Sequence, residues 1–456
     1  MRLRSRPLGP GVLLSAACFV ACQSLAGLSD LSYDGDGQVE DAGGTSGSGG
    51  DDGGGVAGTG GTAGADAQTD AGENACDLKL CDLNLIAAES FDLPTQAGTL
   101  YTGPAVVATP TGFVIMYREA DASGSSPRAV RLKISDEGEE DGRANVNLTP
   151  CADNIESNGV GAAWNDVLGA GLMAVSMPAC PSSAPDGGTP APRMHVSNFD
   201  REGKTITATE YNLPSTILLN PVKSVAASPG APEFLVAAMA GAAPFLYVFD
   251  GVGVQQDPPP AEIHKGNGTA TFAQVATATN SRATLTDSDL EGGKVMVTVN
   301  DVGSGTSSSS SFPRTTTTSL TVWSDKAMII QPDGSSLAWH AFNKSGAIND
   351  GTLSGGPFTA MDLAQLHGCV LIAGARSGSI TIFGVDDANG TFNGPSTINT
   401  ELSSTFGNTT LKDFQGERIA VAAGRDRIVV TWVTSTAPLA SGSVTPGGYA
   451  VLGCDG

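Results

Sequence analysis

The chain has 456 residues, a formal net charge of −23 and a sequence pI near 4.4. Such an excess of carboxylates disfavours nucleic acids and anionic lipid head groups as partners, because both carry the same sign of charge. Residues 76–456 are enough for one large or two medium folded domains.

The first 21 residues have the layout of a bacterial export signal. Arg2, Arg4 and Arg6 precede an apolar run over residues 8–21 that ends in small side chains. The run is shorter than a bilayer-spanning helix, which needs about 20 apolar residues, and no later stretch is a better candidate. We therefore interpret residues 1–21 as a signal peptide and expect no transmembrane helix in the mature chain.

The apolar run ends in "FVAC", residues 19–22, which resembles the lipobox of bacterial lipoproteins. In that family a thiol at the end of the signal is acylated and becomes the new N-terminus, a role that suits a nucleophilic thiolate. The resemblance assigns lipidation to Cys22, with Cys18 in "LSAAC" as the alternative acceptor. Cleavage after Ala17 or Ala21 without any lipid is the third interpretation.

A lipid anchor at Cys22 implies residence in the bacterial cell envelope. Each buried methylene contributes about 0.8 kcal/mol, and two or three acyl chains, palmitate among them, hold a protein firmly in a membrane. By the sorting rule of this family, Gln23 in place of an aspartate favours the outer membrane, either its periplasmic face or the cell surface.

The residues that follow the cysteine, "CQSLAGLSDLSYDGDG", resemble the start of many lipoproteins of myxobacteria. Those chains have a cysteine, a Leu-x-Gly-Leu step, Asp-Leu, and then an aromatic residue and an aspartate. The resemblance implies a tether rich in Gly and Asp, followed by an all-β domain. It implies no particular activity.

Residues 22–75 form a segment rich in Gly, Ala, Thr and Asp, with no Lys or Arg anywhere between Leu8 and Lys79. Such a composition cannot bury enough apolar surface to offset its ordering entropy, so we expect a disordered acidic tether, extended by self-repulsion. The string "DGDGQVE" suggests a calcium loop. The first and twelfth positions of an EF-hand would fall on Ser32 and Gly43, however, and neither supplies the required ligand.

Residues 76–456 have a β pattern throughout. The stretch "RAVRLKIS" alternates as a half-buried strand does, with Val130, Leu132 and Ile134 on one face and Arg131 and Lys133 on the other. Runs such as "KVMVTVND", "SITIFGV" and "RIVVTWVT" are rich in β-branched residues and have strand length. We therefore predict an all-β domain over these residues.

A repeat appears when the strand ends are aligned: an apolar strand, then Asp or Asn, then a turn glycine. Six copies end at Gly138, Gly203, Gly251, Gly303, Gly346 and Gly390, and a seventh, without the acid, ends at Gly442. Their separations are 65, 48, 52, 43, 44 and 52 residues, which is the spacing of propeller blades. This predicts a β-propeller, most simply seven-bladed and similar to WD40-type propellers without their signatures, with two β-sandwich domains as the alternative.

Six cysteines lie beyond the signal, and an even number in an oxidising compartment predicts disulfides. They are Cys76, Cys81, Cys151, Cys180, Cys369 and Cys454. Fifteen pairings are open; we favour Cys151 with Cys180 and expect Cys454 to tie the last strand to an earlier one. Because a propeller must join its first and last strands, residues 83–88 are expected to pair beside residues 449–452.

No stretch has the pattern of a catalytic site. The four histidines are scattered, so we expect no metal and no cofactor. The string "GTSGSGG" matches the serine-elbow motif loosely, but it lies in the tether and no helix is expected after it. The turn "GRDR", with Arg425, Asp426 and Arg427, is read as a charged turn, with an anion-binding rim as the alternative. The predicted function is a membrane-anchored propeller that binds a protein or a glycan and is not an enzyme. The alternative is a secreted propeller hydrolase or lyase that acts on envelope or polysaccharide material.

Overall fold

The structure, a computed structural model, describes most of the residues between 83 and 454, and all of them belong to one compact unit. The signal, Cys22 and Cys18, the tether, and Cys76, Cys81, Cys151 and Cys180 lie outside the described residues. The described segments are 83–90, 100–120, 128–148, 160–177, 193–212, 224–240, 243–256, 260–263, 270, 272–278, 281–288, 294–301, 305–313, 319–323, 326–343, 345–354, 358, 360–366, 369–376, 379–386, 392–393, 418–424, 427–433 and 447–454.

The described residues form 28 β-strands. In chain order they are β1 (Leu83–Ser90), β2 (Leu100–Thr109), β3 (Gly112–Ala120), β4 (Arg128–Ile134), β5 (Glu140–Asn147), β6 (Val160–Asn165), β7 (Ala170–Met177), β8 (Arg193–Phe199), β9 (Thr205–Asn212), β10 (Val225–Ala227), β11 (Glu233–Ala240), β12 (Ala243–Asp250), β13 (Ala261–Glu262), β14 (Ala273–Ala278), β15 (Ser281–Ser288), β16 (Lys294–Asp301), β17 (Ser307–Pro313), β18 (Ser319–Trp323), β19 (Lys326–Asp333), β20 (Ser336–Asn343), β21 (Gly346–Ser354), β22 (Ala360–Leu366), β23 (Cys369–Arg376), β24 (Ser379–Asp386), β25 (Phe392–Asn393), β26 (Arg418–Ala423), β27 (Arg427–Val433) and β28 (Gly447–Cys454).

These strands make seven four-stranded antiparallel sheets, numbered here from first to seventh along the chain. Sheets one to six are β2–β5, β6–β9, β10–β13, β14–β17, β18–β21 and β22–β25, and the seventh has the order β26-β27-β28-β1. The first strand of each sheet packs against the first strand of the next, and β26 returns to contact β2. Small sheets in a closed ring are the architecture of a β-propeller, which confirms the predicted class over the two β-sandwich domains.

Each sheet is covered on both faces by its neighbours, and the sequence of β3 shows why. Phe113, Ile115 and Tyr117 point towards the seventh sheet, where they join a cluster with Tyr449 and Val451. The alternate residues Val114 and Met116 point towards the second sheet and pack with Met173 and Val175. A strand buried on both faces needs apolar residues at successive positions, as the run "FVIMY" provides.

The ring is closed by β1, which pairs with β28 from the other end of the described chain. Leu85 lies opposite Leu452 and Ala88 opposite Ala450 in an antiparallel register. This confirms the predicted pairing of residues 83–88 beside residues 449–452. The backbone of Cys454 lies opposite Leu83, and Cys369 begins β23; their predicted disulfides stay predictions.

The third and fourth strands of a sheet are connected by the same kind of turn in the second and third sheets. In the second and third sheets Asp200 and Asp250 begin it, and Gly203 and Gly253 follow three residues later with φ of +75° and +76°. Each glycine N–H donates to the carbonyl of its aspartate, at 2.9 and 3.1 Å. Each carboxylate accepts two further turn amides, at 2.8 to 3.1 Å. An aspartate that satisfies local amides and a glycine that accepts positive φ are what this turn requires.

The repeat therefore identified the turns but not every glycine. In the third sheet the prediction of Gly251 was wrong, because the residue with positive φ is Gly253, two positions later. In the fourth sheet Gly303 lies outside the described residues, and Gly305 has φ of +65°. "DGVG" and "DVGSG" each offer two glycines, and spacing alone does not choose between them.

Gly253 and Gly305 form a matched pair for substitution. A Cβ on Gly253 would lie 2.3 Å from Asn198 Oδ1 of the second sheet, whereas one on Gly305 would meet no atom within 4 Å. We expect Gly305→Ala to lower the free energy of unfolding by about 1 kcal/mol, through backbone strain alone. Gly253→Ala should cost about 2–3 kcal/mol, because strain and overlap add. Urea unfolding measures both, and equal losses would contradict the proposed inter-sheet contact.

Candidate functional site

The first strands of the seven sheets face the centre of the ring, and their described side chains are mostly small and apolar. The buried ones include Ala105, Val107, Val160, Ala162, Val225, Ala226, Ala273, Val275, Ala276, Leu320, Ala360, Leu363, Ile419, Ala420, Val421 and Ala422. The buried polar residues of these strands include Gln274, Thr321 and Asp362. Asp362 is the one carboxylate that these seven strands contain.

Asp362 accepts a hydrogen bond from a backbone amide of the adjacent sheet. It is fully buried in β22, and its Oδ2 accepts the Val421 N–H of β26 at 2.8 Å. The bond joins the sixth sheet to the seventh and satisfies a backbone amide on the open edge of β26. A carboxylate in this role stabilises the ring, and within these seven strands it has no second carboxylate for the paired acid–base chemistry of a hydrolase.

The turns described above are held by the preceding sheet. Asn198, Thr207 and Tyr211 of the second sheet donate to the three carbonyls of residues 251–253, at 3.0, 2.7 and 2.6 Å. In the same way Ser308 of the fourth sheet donates to the carbonyl of Asn343 in the fifth, at 3.0 Å. Side-chain hydrogen bonds thus fix the outer part of one sheet against the next.

The contact between the seventh and first sheets uses a buried tyrosine. Tyr449 in β28 donates its hydroxyl to the carbonyl of Gly138 at 2.8 Å and lies 3.3 Å from Glu89 Oε2 of β1. Burial raises the pKa of Tyr449 well above its usual value near 10, and the Glu89 carboxylate raises it further. The phenol therefore stays protonated as a donor at the seam where the ring closes.

Tyr449 should give the protein an alkaline instability. The folded state keeps this proton to a higher pH than the unfolded chain, so the free energy of unfolding falls as pH rises above about 10. Tyr449→Phe should cost about 1–2 kcal/mol at neutral pH and should lose less stability than the wild type between about pH 9 and 11. Thermal melts across this range test it, with Tyr33→Phe in the predicted tether as the control. Parallel pH profiles of wild type and Tyr449→Phe would be the contrary result.

The interface between the first and second sheets holds a group of basic side chains. Arg118 in β3 and Arg131 and Lys133 in β4 lie on the face that packs against the second sheet, and all three are buried. This corrects the half-buried interpretation of "RAVRLKIS", because a propeller covers both faces of the strand. The sequence could not separate a solvated polar face from one that meets another sheet.

Two of these cations have contacts across or along the interface. Arg131 Nη2 donates to Thr205 Oγ1 of β9, and its guanidinium lies 5.4 Å from the centroid of the Phe199 ring. Burial lowers the pKa of Arg131 to about 10, against the opposing effect of Asp200. Lys133 donates to the carbonyl of Thr111, and burial lowers its pKa while nearby carboxylates raise it.

Arg118 differs from both. It is 1% exposed, and neither its Nε nor its Nη1 has a hydrogen-bond partner in the described part of the chain. Burial alone lowers the pKa of Arg118 to about 10, and no carboxylate in the described part of the chain acts in the other direction. The contrast is Arg282 in β15, whose Nη2 lies 3.4 Å from Glu233 Oε1 and whose pKa is lowered by burial and raised by that carboxylate.

The second sheet faces these cations with His195 and Ser197 of β8. Ser197 is fully buried and its hydroxyl has no partner among the described residues. His195 makes no hydrogen bond there, and its Nδ1 lies 4.0 Å from Glu210 Oε1. Burial, with Arg131 adding to it and Glu210 opposing, lowers the pKa of His195, so the imidazole is neutral at pH 7.

The structure describes few of the residues that the sequence suggested as sites. Of the charged turn, Arg425 and Asp426 are outside the described residues, and Arg427 begins β27. Among the described residues no group of three or more His, Cys, Asp and Glu side chains is placed to hold a metal ion. In the same residues no helix is long and apolar enough to cross a membrane.

Comparisons with known proteins bear on the fold alone. No protein-family model and no curated protein sequence matches the chain. Among solved structures, it is similar to the Cps50 (Swd1) β-propeller domain of Myceliophteria thermophila, at 10% identity and a TM-score of 0.43, covering 81% of this chain and 100% of that one. It is also similar to the WD40 domain of Toxoplasma gondii coronin, at 9% identity and a TM-score of 0.44, covering 82% of this chain and 88% of that one. A third similar structure is the fucose-binding, six-bladed Aleuria aurantia lectin, at 12% identity and a TM-score of 0.38, covering 65% of this chain and 95% of that one.

Proposed function

We propose that the protein is a lipid-anchored component of a bacterial cell envelope whose propeller binds a protein or glycan ligand and performs no chemistry on it. The observation that supports this best is the inner wall of the ring. Its described strands are small and apolar, and their one carboxylate, Asp362, bonds the Val421 amide of the neighbouring sheet. Such a wall offers a rigid scaffold without the paired acids that polysaccharide hydrolysis uses.

We infer that the propeller has seven blades. Each of the seven four-stranded sheets counts as one blade, and successive contacts of their first strands support a single closed circuit. The strand borrowed from residues 83–90 completes the last blade. Rigid rings of this kind present loops at fixed positions, which suits recognition of a large partner.

The anchor rests on the lipobox resemblance and on the acidic tether that follows it. Acylation of Cys22 would place about 60 residues of acidic chain between the membrane and β1. That spacing would hold the binding domain away from anionic head groups, which the net charge of −23 also repels.

Metabolic labelling tests the anchor. The wild-type protein, expressed in a bacterial host with labelled palmitate, should take up label and partition into the detergent phase. Cys22→Ser should abolish both, and Cys18→Ser serves as the matched control that retains them. Label that survives Cys22→Ser and disappears in Cys18→Ser would move the site, and no label in either protein would overturn the anchor.

One preparation of the protein can be used to distinguish ligand binding from catalysis. Mature protein in detergent should retain a specific protein or glycan from envelope fractions, and Asp362→Asn should retain it equally, because an amide oxygen can still accept the Val421 N–H. The same samples are assayed for new reducing ends on envelope polysaccharide. Turnover by the wild type that Asp362→Asn lacks would establish the hydrolase or lyase alternative instead.

A further inference from the structure

The interface between the first and second sheets contains more buried hydrogen-bond donors than it has acceptors for. In the described residues, Arg118 and Arg131 each leave Nε and Nη1 without a partner, and the hydroxyl of Ser197 and both ring nitrogens of His195 are likewise unbonded. All four residues are at least nine-tenths buried. Buried polar groups in native proteins almost always have partners, so a cluster of this kind points to a missing acceptor.

The strand registers place these groups on two surfaces that face each other. Arg118 lies diagonally across from Arg131 on the same face of the first sheet, since Met116 pairs with Arg131 and Arg118 with Ala129. Diagonal neighbours have side chains within mutual reach. On the opposite surface, His195 and Ser197 alternate along β8 with Phe199, whose ring contacts the Arg131 guanidinium.

The charge of this cluster is also unbalanced. Arg131 has Asp200 as a Coulombic partner, and Glu210 is held by Arg193 at 2.7 Å. Among the residues that the structure describes, no carboxylate offsets the burial of Arg118. A buried cation without a counter-charge is strongly destabilising. The partly buried Arg282, between the third and fourth sheets, has Glu233 as its counter-charge.

We propose that a single small inorganic anion, such as phosphate, sulfate or chloride, binds between the first and second sheets on Arg118, Arg131 and Ser197. Guanidinium groups are strong donors to anions, and a hydroxyl can rotate to donate as well. The near-complete burial of the donors restricts the ligand to a small free ion and excludes an anionic group on a polymer. The ion would act as a structural link between the two sheets, apart from the ligand of the proposed function.

The first test follows the midpoint of thermal unfolding of the full-length wild-type protein. The protein is dialysed into sodium gluconate and titrated with phosphate, sulfate or chloride at constant ionic strength. At about 100 times its dissociation constant, a specific anion should raise Tm by about 3 °C, and the rise should saturate. The anion that saturates at the lowest concentration identifies the preferred ion, and any of the three supports the proposal.

Variants separate a specific site from general salt effects, which sulfate exerts on any protein. Arg118→Met should be at least as stable as the wild type in gluconate and should lose the saturable rise. Arg201→Gln removes the same charge from an exposed turn and should keep the rise in full. Arg282→Met removes a partly buried arginine that has a carboxylate partner, so this variant should be less stable than the wild type in every buffer and should keep the rise.

A second measurement does not use Arg118→Met and so covers the case in which that variant does not fold. Protein equilibrated with each anion is passed through a gluconate-equilibrated desalting column, denatured and analysed by ion chromatography. About one retained anion per chain supports the site, and Ser197→Ala should retain less. Equal Tm increments in all variants, or no retained anion of any kind, would overturn the proposal.

Discussion

The structure depends on joining the two ends of the folded chain in one sheet. Seven small sheets arranged in a circle bury their faces only if the circle closes, and β1 closes it by adding a fourth strand to β28. Without that strand the seventh sheet would expose an edge and the first and seventh sheets would have no shared seam. Tyr449 reinforces the same place, because its one hydroxyl contacts β1 through Glu89 and the first sheet through Gly138.

Burial on both faces has a second consequence: polar side chains on the outer strands end up between sheets. Some of them form hydrogen bonds to a neighbouring turn, as Asn198, Thr207 and Tyr211 do with residues 251–253. These bonds fix the rotation of one sheet against the next, which apolar packing alone would leave less specific. Arg118 is one position where this solution is incomplete, and it lies in the interface that holds three buried cations among the described residues.

The sequence predicted the parts of this fold that depend on local pattern. Strand periodicity, the Asp-to-Gly turns and the apolar ends that meet in β1 and β28 could be read directly, because each depends on neighbours in the chain. The burial of Arg131 and Lys133 could not be read, since alternation looks the same whether the polar face meets water or another sheet. The shift from Gly251 to Gly253 has a similar origin. A Cβ would overlap a side chain of the second sheet at either position, Leu168 or Asn198, and the folded turn decides which glycine has positive φ.

The overall charge of the chain does not remove the need for a partner at Arg118. A net charge of −23 makes the surroundings favourable for any cation, but that field is screened within about 8–10 Å at ordinary ionic strength. It therefore lowers the cost of burying a guanidinium only slightly and supplies no hydrogen-bond acceptors. Local contacts must do that, as Glu233 does for Arg282. Among the described residues, the second sheet offers Arg118 a hydroxyl and a neutral imidazole but no carboxylate, and for this reason we propose that a bound anion supplies the compensating charge.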